Sequence, residues 1–195
     1  MLKLTKDFIR ELGDLAMFAF DVFKQLFRPP FEHRELLRQS YRLGVKTLPL
    51  VLITGFILGM VLTLQSRPVL IDFGAGSLLP GMIAVSIVRE IGPVITALIC
   101  AGKMSSGIGA ELGSMRVTEQ IDAMEVSGVK PMKFLVVTRV LSTTLVVPML
   151  VIFADAIALF GSYVAIQMRA DLSITLFYHQ AFSALSFTDI IPATI

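Results

Sequence analysis

Three long apolar stretches, separated by polar segments, dominate the chain. The first covers residues 47–66, which are 20 residues without a formal charge. As a helix this stretch is about 30 Å long, which matches the hydrocarbon thickness of a bilayer. The second covers residues 78–102 and the third residues 134–168. The pattern predicts three membrane-spanning helices, and residues 189–195 are expected to begin a fourth.

The N-terminal segment, residues 1–28, has a different pattern. Apolar residues recur at helical spacing and form one continuous face, and Pro29 and Pro30 end the pattern. Acidic residues among the basic ones exclude a signal peptide. We expect an amphipathic helix, and since membrane spans follow directly, an interfacial position is favoured over packing on a soluble partner.

Composition supports a membrane protein. Apolar residues make up 55% of the chain and charged residues 16%, whereas soluble domains carry about 25% charged residues. The fold class expected is all-α and polytopic. A net charge of +2 without a basic and aromatic cluster argues against nucleic acid. The single cysteine, Cys100, excludes an intrachain disulfide, and the two distant histidines do not make a metal site. No cofactor and no catalytic constellation are predicted.

The distribution of lysine and arginine predicts the orientation. Nine of these residues precede residue 47 and five lie in residues 103–139. The segments expected on the opposite side, residues 67–77 and 169–188, carry one each. Because basic residues are retained on the cytoplasmic side, we expect a cytoplasmic N-terminus and a cytoplasmic loop at residues 103–133. The 169–188 segment is then periplasmic.

Charged residues interrupt two of the predicted spans. Arg89 and Glu90 lie in the second and Asp155 in the third. An ionisable residue at the bilayer centre costs about 2.5–3.5 kcal/mol on insertion scales. Two interpretations stay open: these residues line a substrate cavity or hold a mobile helix, or they form a structural salt bridge between helices. Pro93, one turn after Glu90, is expected to kink or interrupt its helix.

The polar loop contains a short helical pattern over residues 118–127. Thr118 is expected as its cap, and Gly128 and Pro131 end it. Its acidic residues and exposed apolar ridge are typical of a coupling helix, which binds in a groove of a cytosolic motor protein and transmits its movement to the membrane. The alternative interpretation is an ordinary ordered loop. The glycines around it are expected in tight helix packing or a flexible turn. These are Gly102, Gly107, Gly109 and Gly113.

Residues 89–131 carry the most specific signal. The segment reads REIGPVITALICAGKMSSGIGAELGSMRVTEQIDAMEVSGVKP and resembles the signature of MlaE-type permeases, the permeases of MCE-associated ABC transporters. Residues 55–65, GFILGMVLTLQ, are similar to the first span of that family. The family usually has arginine at the position of Lys103. Its members typically have five spans, so residues 1–195 are expected to be a fragment of a single MlaE-type permease domain.

The resemblance implies phospholipid transport by a permease homodimer in the bacterial inner membrane. The implied partners are cytosolic ABC ATPases, a periplasmic MCE-domain protein and a STAS-domain regulatory subunit, with ATP hydrolysis in the ATPase rather than in this chain. The residues expected along the lipid cavity are Leu62, Gln65, Val69, Phe73, Arg89, Glu90 and Ile91. The residues expected to couple to the ATPase are Arg116, Glu119, Gln120, Ile121, Asp122, Met124 and Glu125. The alternatives are an ABC permease for another substrate and a non-transporting membrane anchor.

Overall fold

The computed structural model describes residues 2–26, 32–168 and 173–186, and their regular elements are all helical. The α-helices of these ranges, in chain order, are α1 Leu2–Leu26, α2 His33–Asp72, α3 Leu79–Ser86, α4 Gly92–Val117, α5 Gln120–Val126, α6 Thr138–Gln167 and α7 Ile174–Ser183. A 3₁₀ turn, Gly76–Leu78, precedes α3. Two π-helical turns complete the architecture: Ile87–Ile91 joins α3 to α4, and Met132–Val137 leads into α6.

Three helical stretches are long and apolar enough to cross a membrane: His33–Asp72, Gly76–Val117 and Met132–Gln167. They confirm the all-α polytopic fold class and the three predicted spans. The expected beginning of a fourth span, residues 189–195, lies outside the described residues.

The helices extend beyond the apolar stretches on which the spans were predicted. Helix α2 has 40 residues, or about 60 Å, roughly twice the hydrocarbon thickness. Helix α4 continues to Val117, so the expectation that residues 103–117 form a loop is wrong. This part of the chain contains no proline, and good helix formers such as Met104, Ala110 and Glu111 offset the low helix propensity of its glycines, so the helix continues into a polar environment.

The chain divides into two compact units, and each is described by itself. The first comprises residues 1–42 and 109–144. It contains α1, α5, the beginning of α2, the end of α4 and the π-helical turn Met132–Val137, against which α1 packs. Many of the apolar side chains of α1, among them Phe8, Leu15 and Phe20, are exposed, as an amphipathic helix requires before its apolar face is covered.

The second unit comprises residues 43–108 and 145–195. Its main core contains residues of α3, of the π-helical turn that follows it, of α6 and of α7: Leu79, Ile83, Ala84, Ile87, Ala158, Leu159, Ile166, Phe177 and Ala181. A second buried cluster contains Cys100, Met104, Val146 and Leu150. The cores therefore join helices that are distant in the sequence.

Helices α2 and α6 approach each other closely in this unit, and glycines allow the approach. A Cβ atom on Gly55 would lie 3.0 Å from the carbonyl oxygen of Ala154, and a Cβ atom on Gly59 would overlap with the backbone of Ala158. From the other side, a Cβ atom on Gly161 would overlap with the carbonyl of Phe56. The close helix packing expected of the G-x-x-x-G pattern is thus present.

The glycines of α4 are different. A Cβ atom on Gly102, Gly107, Gly109 or Gly113 would meet nothing within 4 Å among the described residues. All four lie inside a continuous helix. The expectation of tight packing or a flexible turn at these positions is wrong for the described chain, because α4 presents this surface outward.

Candidate functional site

An apolar groove of about 120 Å³ lies in the second unit, between α2, α6 and the helical stretch from Ile87 to Ile99. Its lining residues are Val51, Gly55, Leu58, Val61, Leu62, Gln65, Ile87, Ile91, Gly92, Ile95, Thr96, Ile99, Ala154 and Ala158. None of these described residues carries a formal charge, and Gln65 and Thr96 are its polar side chains. Such a groove fits an apolar ligand through burial of hydrocarbon surface.

The structure brings three of the seven predicted cavity residues to this groove. Leu62, Gln65 and Ile91 line it. Val69 is 54% exposed and Phe73, just after the end of α2, is 82% exposed; neither lines the groove. In the described chain these two side chains face outward, away from the groove.

Arg89 and Glu90 occupy the π-helical turn Ile87–Ile91. Both are exposed in the described chain, and neither lines the groove. The amide N–H of Gly92 donates to the carbonyl of Ile87, five residues earlier, so the widened turn ends immediately before Pro93. The irregularity expected around Pro93 is therefore present, and π-helical turns occur frequently at functional sites.

Asp155 lies behind the groove wall rather than in it. The residue is 8% exposed, and its Oδ1 atom has no hydrogen-bond partner among the described residues. A Cβ atom on Gly92 would overlap with this carboxylate oxygen. Glycine at position 92 thus creates the space for Asp155, a relation that no sequence spacing indicated because the two residues belong to different spans.

The wall residues Gly92, Ala154 and Ala158 were not among the predicted site residues. A signal for two of them exists: Ala154 and Ala158 are four residues apart in an apolar helix, as small residues at a helix contact often are. The pattern indicates close packing, but it does not indicate that a cavity remains beside the contact.

The predicted coupling segment forms α5 in the first unit. Its N-cap residue is Glu119, which has a φ of 58°. The Thr118 hydroxyl donates to the carbonyl of Ser114 at 2.8 Å, so the capping role expected for Thr118 is wrong: it closes the last turn of the preceding helix. Ile121 and Met124 are partly buried, whereas Val126 is 90% exposed.

A shallow concavity of about 480 Å³ lies beside α5. Four predicted coupling residues line it: Arg116, Ile121, Asp122 and Glu125. Glu119, Gln120 and Met124 do not. The remaining lining residues are Gln25, Gly128, Val129, Lys130, Pro131 and Met132. Its mixed polar and apolar surface is typical of a protein contact rather than of a small-molecule site.

The first unit contains an ion pair that lines this concavity and a separate cluster around Glu111. Arg116 contacts Asp122 at 2.7 Å, but both side chains are more than half exposed, so the pair adds little stability. Glu111 instead contacts both Arg42, at 2.7 Å, and Arg139, at 3.1 Å. Sequence reasoning missed this cluster. The available signal was Arg139 itself, a cation near the start of an apolar span that required a partner.

Comparisons with known proteins place these features in a family. A family model described as Permease MlaE matches residues 36–195. A probable ABC transporter permease protein of Rickettsia felis is 34% identical over 193 residues, covering 99% of this chain and 74% of the relative. The intermembrane phospholipid transport system permease protein MlaE of Haemophilus influenzae is 38% identical, over 82% of this chain and 61% of the relative. The chloroplastic protein TRIGALACTOSYLDIACYLGLYCEROL 1 of Arabidopsis thaliana is 31% identical, over 93% of this chain and 52% of the relative.

Proposed function

The chain belongs to the MlaE permease family, and we propose that it is the membrane permease subunit of an ABC-type phospholipid transporter. In this proposal it acts with an MCE-domain protein to move phospholipid between the inner membrane and the periplasm or outer membrane. The family makes it a transport subunit rather than a catalytic enzyme. ATP hydrolysis takes place in a separate cytosolic ABC ATPase.

The observation that carries the proposal is the uncharged groove of the second unit. Its lining is aliphatic apart from Gln65 and Thr96, which suits an acyl chain and disfavours a polar solute. Its volume of about 120 Å³ is below the roughly 300–1,000 Å³ of sites that enclose a whole ligand. The groove therefore accepts a segment of one acyl chain, and a second permease copy completes the lipid site.

The exposed predicted residues fit this arrangement. Val69, Phe73, Arg89 and Glu90 are all exposed in the described chain, and in the homodimer they face the shared cavity. The two charged residues then lie where a lipid headgroup requires polar partners, whereas Phe73 extends the apolar surface. The exposure of Arg89 and Glu90 is what their interpretation as cavity residues requires.

The concavity beside α5 is the proposed contact with the ATPase. A surface with both acidic and apolar side chains suits a contact with a cytosolic protein, and Ile121, Asp122 and Glu125 supply both kinds. Residues 118–127 are then the coupling segment of a single permease domain. The N-terminus and this segment lie on the cytoplasmic side of the inner membrane, as the lysine and arginine distribution favours, with α1 in the membrane interface and residues 169–188 in the periplasm.

A pair of neighbouring substitutions tests the lipid site. Leu58 lines the groove, and Ile57, on another face of α2, is 52% exposed. Leu58→Trp fills the groove, so we expect less phospholipid to remain bound after gentle extraction. Ile57→Trp adds the same side chain on the outer surface, and wild-type lipid content is expected.

The measurement is native mass spectrometry of the complex extracted from its own membranes, which also counts the permease and ATPase copies. Two copies of each with bound phospholipid, and loss of lipid only in Leu58→Trp, support the proposal. Equal lipid content in both variants would show that the groove does not bind phospholipid. A wild-type chain that binds an ATPase but no lipid would favour a membrane anchor.

A further inference from the structure

We propose that Glu111 is a positioning residue that links the coupling segment to the membrane spans. Glu111 holds together the polar ends of the three helices that contain the spans, so that movement of α5 is passed on to those helices. This inference rests on the proposed function, because it requires an ATPase that moves α5.

The two carboxylate oxygens of Glu111 serve different helices. Oε1 accepts from an Arg42 guanidinium nitrogen of α2 at 2.7 Å, and Oε2 lies 3.1 Å from an Arg139 guanidinium nitrogen of α6. Glu111 itself belongs to α4. One side chain therefore connects α2, α4 and α6, which are the helices of the three candidate spans.

Arg139 is the buried member of this cluster. Its side chain is 5% exposed, and a second guanidinium nitrogen donates to the carbonyl of Leu135, one turn earlier, at 2.9 Å. Its Nε atom has no hydrogen-bond partner among the residues that the structure describes. The guanidinium is thus fixed against its own helix and depends on Glu111 for a counter-charge. A buried ion that loses its partner is strongly disfavoured, so the pair resists separation when α5 moves.

The cluster also encloses the coupling segment in the sequence. Glu111 lies before α5 and Arg139 lies after it, on the two helices between which the segment is inserted. The ion pair therefore joins the two ends of the segment that contains α5. Without the ion pair, this segment can move while the spans stay in place, so the movement of α5 does not reach the spans.

The test uses the complete permease and ATPase complex in phospholipid vesicles, with the ATP hydrolysed and the phospholipid moved both measured. Glu111→Gln keeps the size of the side chain and removes its charge. We expect ATPase binding to persist, while the phospholipid moved per ATP falls severalfold, because the movement of α5 no longer reaches the spans. Arg38→Gln is the control. The Arg38 side chain is 79% exposed and lies 3.8 Å from Glu35 in the same unit, so its loss leaves no buried cation unpaired and an unchanged ratio is expected.

A second variant separates positioning from stability. In Glu111→Gln, Arg139 remains as a buried charge without its carboxylate, and thermal stability should fall. The double variant Glu111→Gln with Arg139→Met removes both charges, which restores stability in many buried pairs. If the ion pair positions the helices, the double variant should recover thermal stability while the phospholipid moved per ATP stays low.

If the double variant recovers both thermal stability and the phospholipid moved per ATP, the inference is overturned. The unpaired charge of Arg139 would then explain the whole effect of Glu111→Gln. A wild-type ratio in Glu111→Gln would overturn it as well and leave the proposed function intact. Absence of ATP-dependent phospholipid movement in the wild-type complex would overturn both. The wild-type measurement thus separates the two failures.

Discussion

The contact between α2 and α6 gives the sharpest stability prediction. Gly59→Ala adds one methyl group at a position where a Cβ atom would overlap with the backbone of Ala158. A flexible side chain could move aside, but a helical backbone moves only with its helix. We therefore expect Gly59→Ala to destabilise the second unit, although alanine is otherwise the better helix former.

The magnitude follows from two opposed contributions. Overpacking of a close contact lowers the free energy of unfolding by about 1–3 kcal/mol, and overlap with backbone lies at the upper end of that range. The higher helix propensity of alanine returns about 1 kcal/mol. The net loss is about 2 kcal/mol. For a chain of this size it lowers the unfolding temperature by about 4–8 °C.

Gly102→Ala is the matched control. A Cβ atom on Gly102 would meet nothing within 4 Å among the described residues, so only the propensity contribution remains. We expect a gain of up to about 1 kcal/mol, or a rise of about 2–4 °C in the unfolding temperature. The same substitution is therefore expected to act with opposite sign in two spans.

The chain contains a built-in reporter for this experiment. Its single cysteine, Cys100, is buried, so a maleimide dye that fluoresces on reaction detects unfolding in detergent. Equal shifts for the two alanine variants would refute the reasoning. The contact between α2 and α6 would then tolerate a methyl group, and the close approach of their backbones would not limit stability.

Three further predictions rest on other contacts. Thr63→Val removes a buried 2.6 Å hydrogen bond with Ser162 and should lower the free energy of unfolding by about 1 kcal/mol; the maleimide assay measures it, and an unchanged unfolding temperature would contradict it. Reversing the charges of Glu119 and Asp122 to arginine should release the ATPase while the permease stays monodisperse; co-purification at the wild-type level would remove these residues from the contact. Glu90→Ala should reduce retained phospholipid per chain, measured by mass spectrometry, and wild-type retention and transport would leave Glu90 without a role in the lipid site.

The sequence predicted the fold class and the three spans because both depend on local properties. A run of apolar residues long enough to cross the bilayer needs no knowledge of its neighbours. The glycine spacing at Gly55 and Gly59 likewise indicated close packing. What it could not indicate was the partner: the opposing surface at Ala154 and Ala158 lies about a hundred residues later in the chain.

The candidate groove was only partly predictable for the same reason. Leu62 and Gln65, near the end of the first apolar stretch, and Ile91, in the middle of the second, line the groove. Val69 of α2 and Phe73, just after the end of that helix, project outward instead. Helical spacing gives the direction of a side chain around its own axis. Whether that direction meets another helix depends on packing between helices.

The end of an apolar stretch and the end of a helix are different boundaries, and different sequence patterns indicate them. Hydropathy falls after residue 102, yet α4 continues to Val117, because a helix satisfies its backbone hydrogen bonds internally and does not require an apolar environment. The connection after α5 behaves differently: Gly128 has a φ of 78°, and Pro131 follows. Hydropathy therefore locates the bilayer, whereas Gly128 and Pro131 mark the end of α5. Since α4 extends past the apolar stretch, it reaches the polar position at which Glu111 meets Arg42 and Arg139. The ion-pair cluster proposed to position the coupling segment exists because these two boundaries do not coincide.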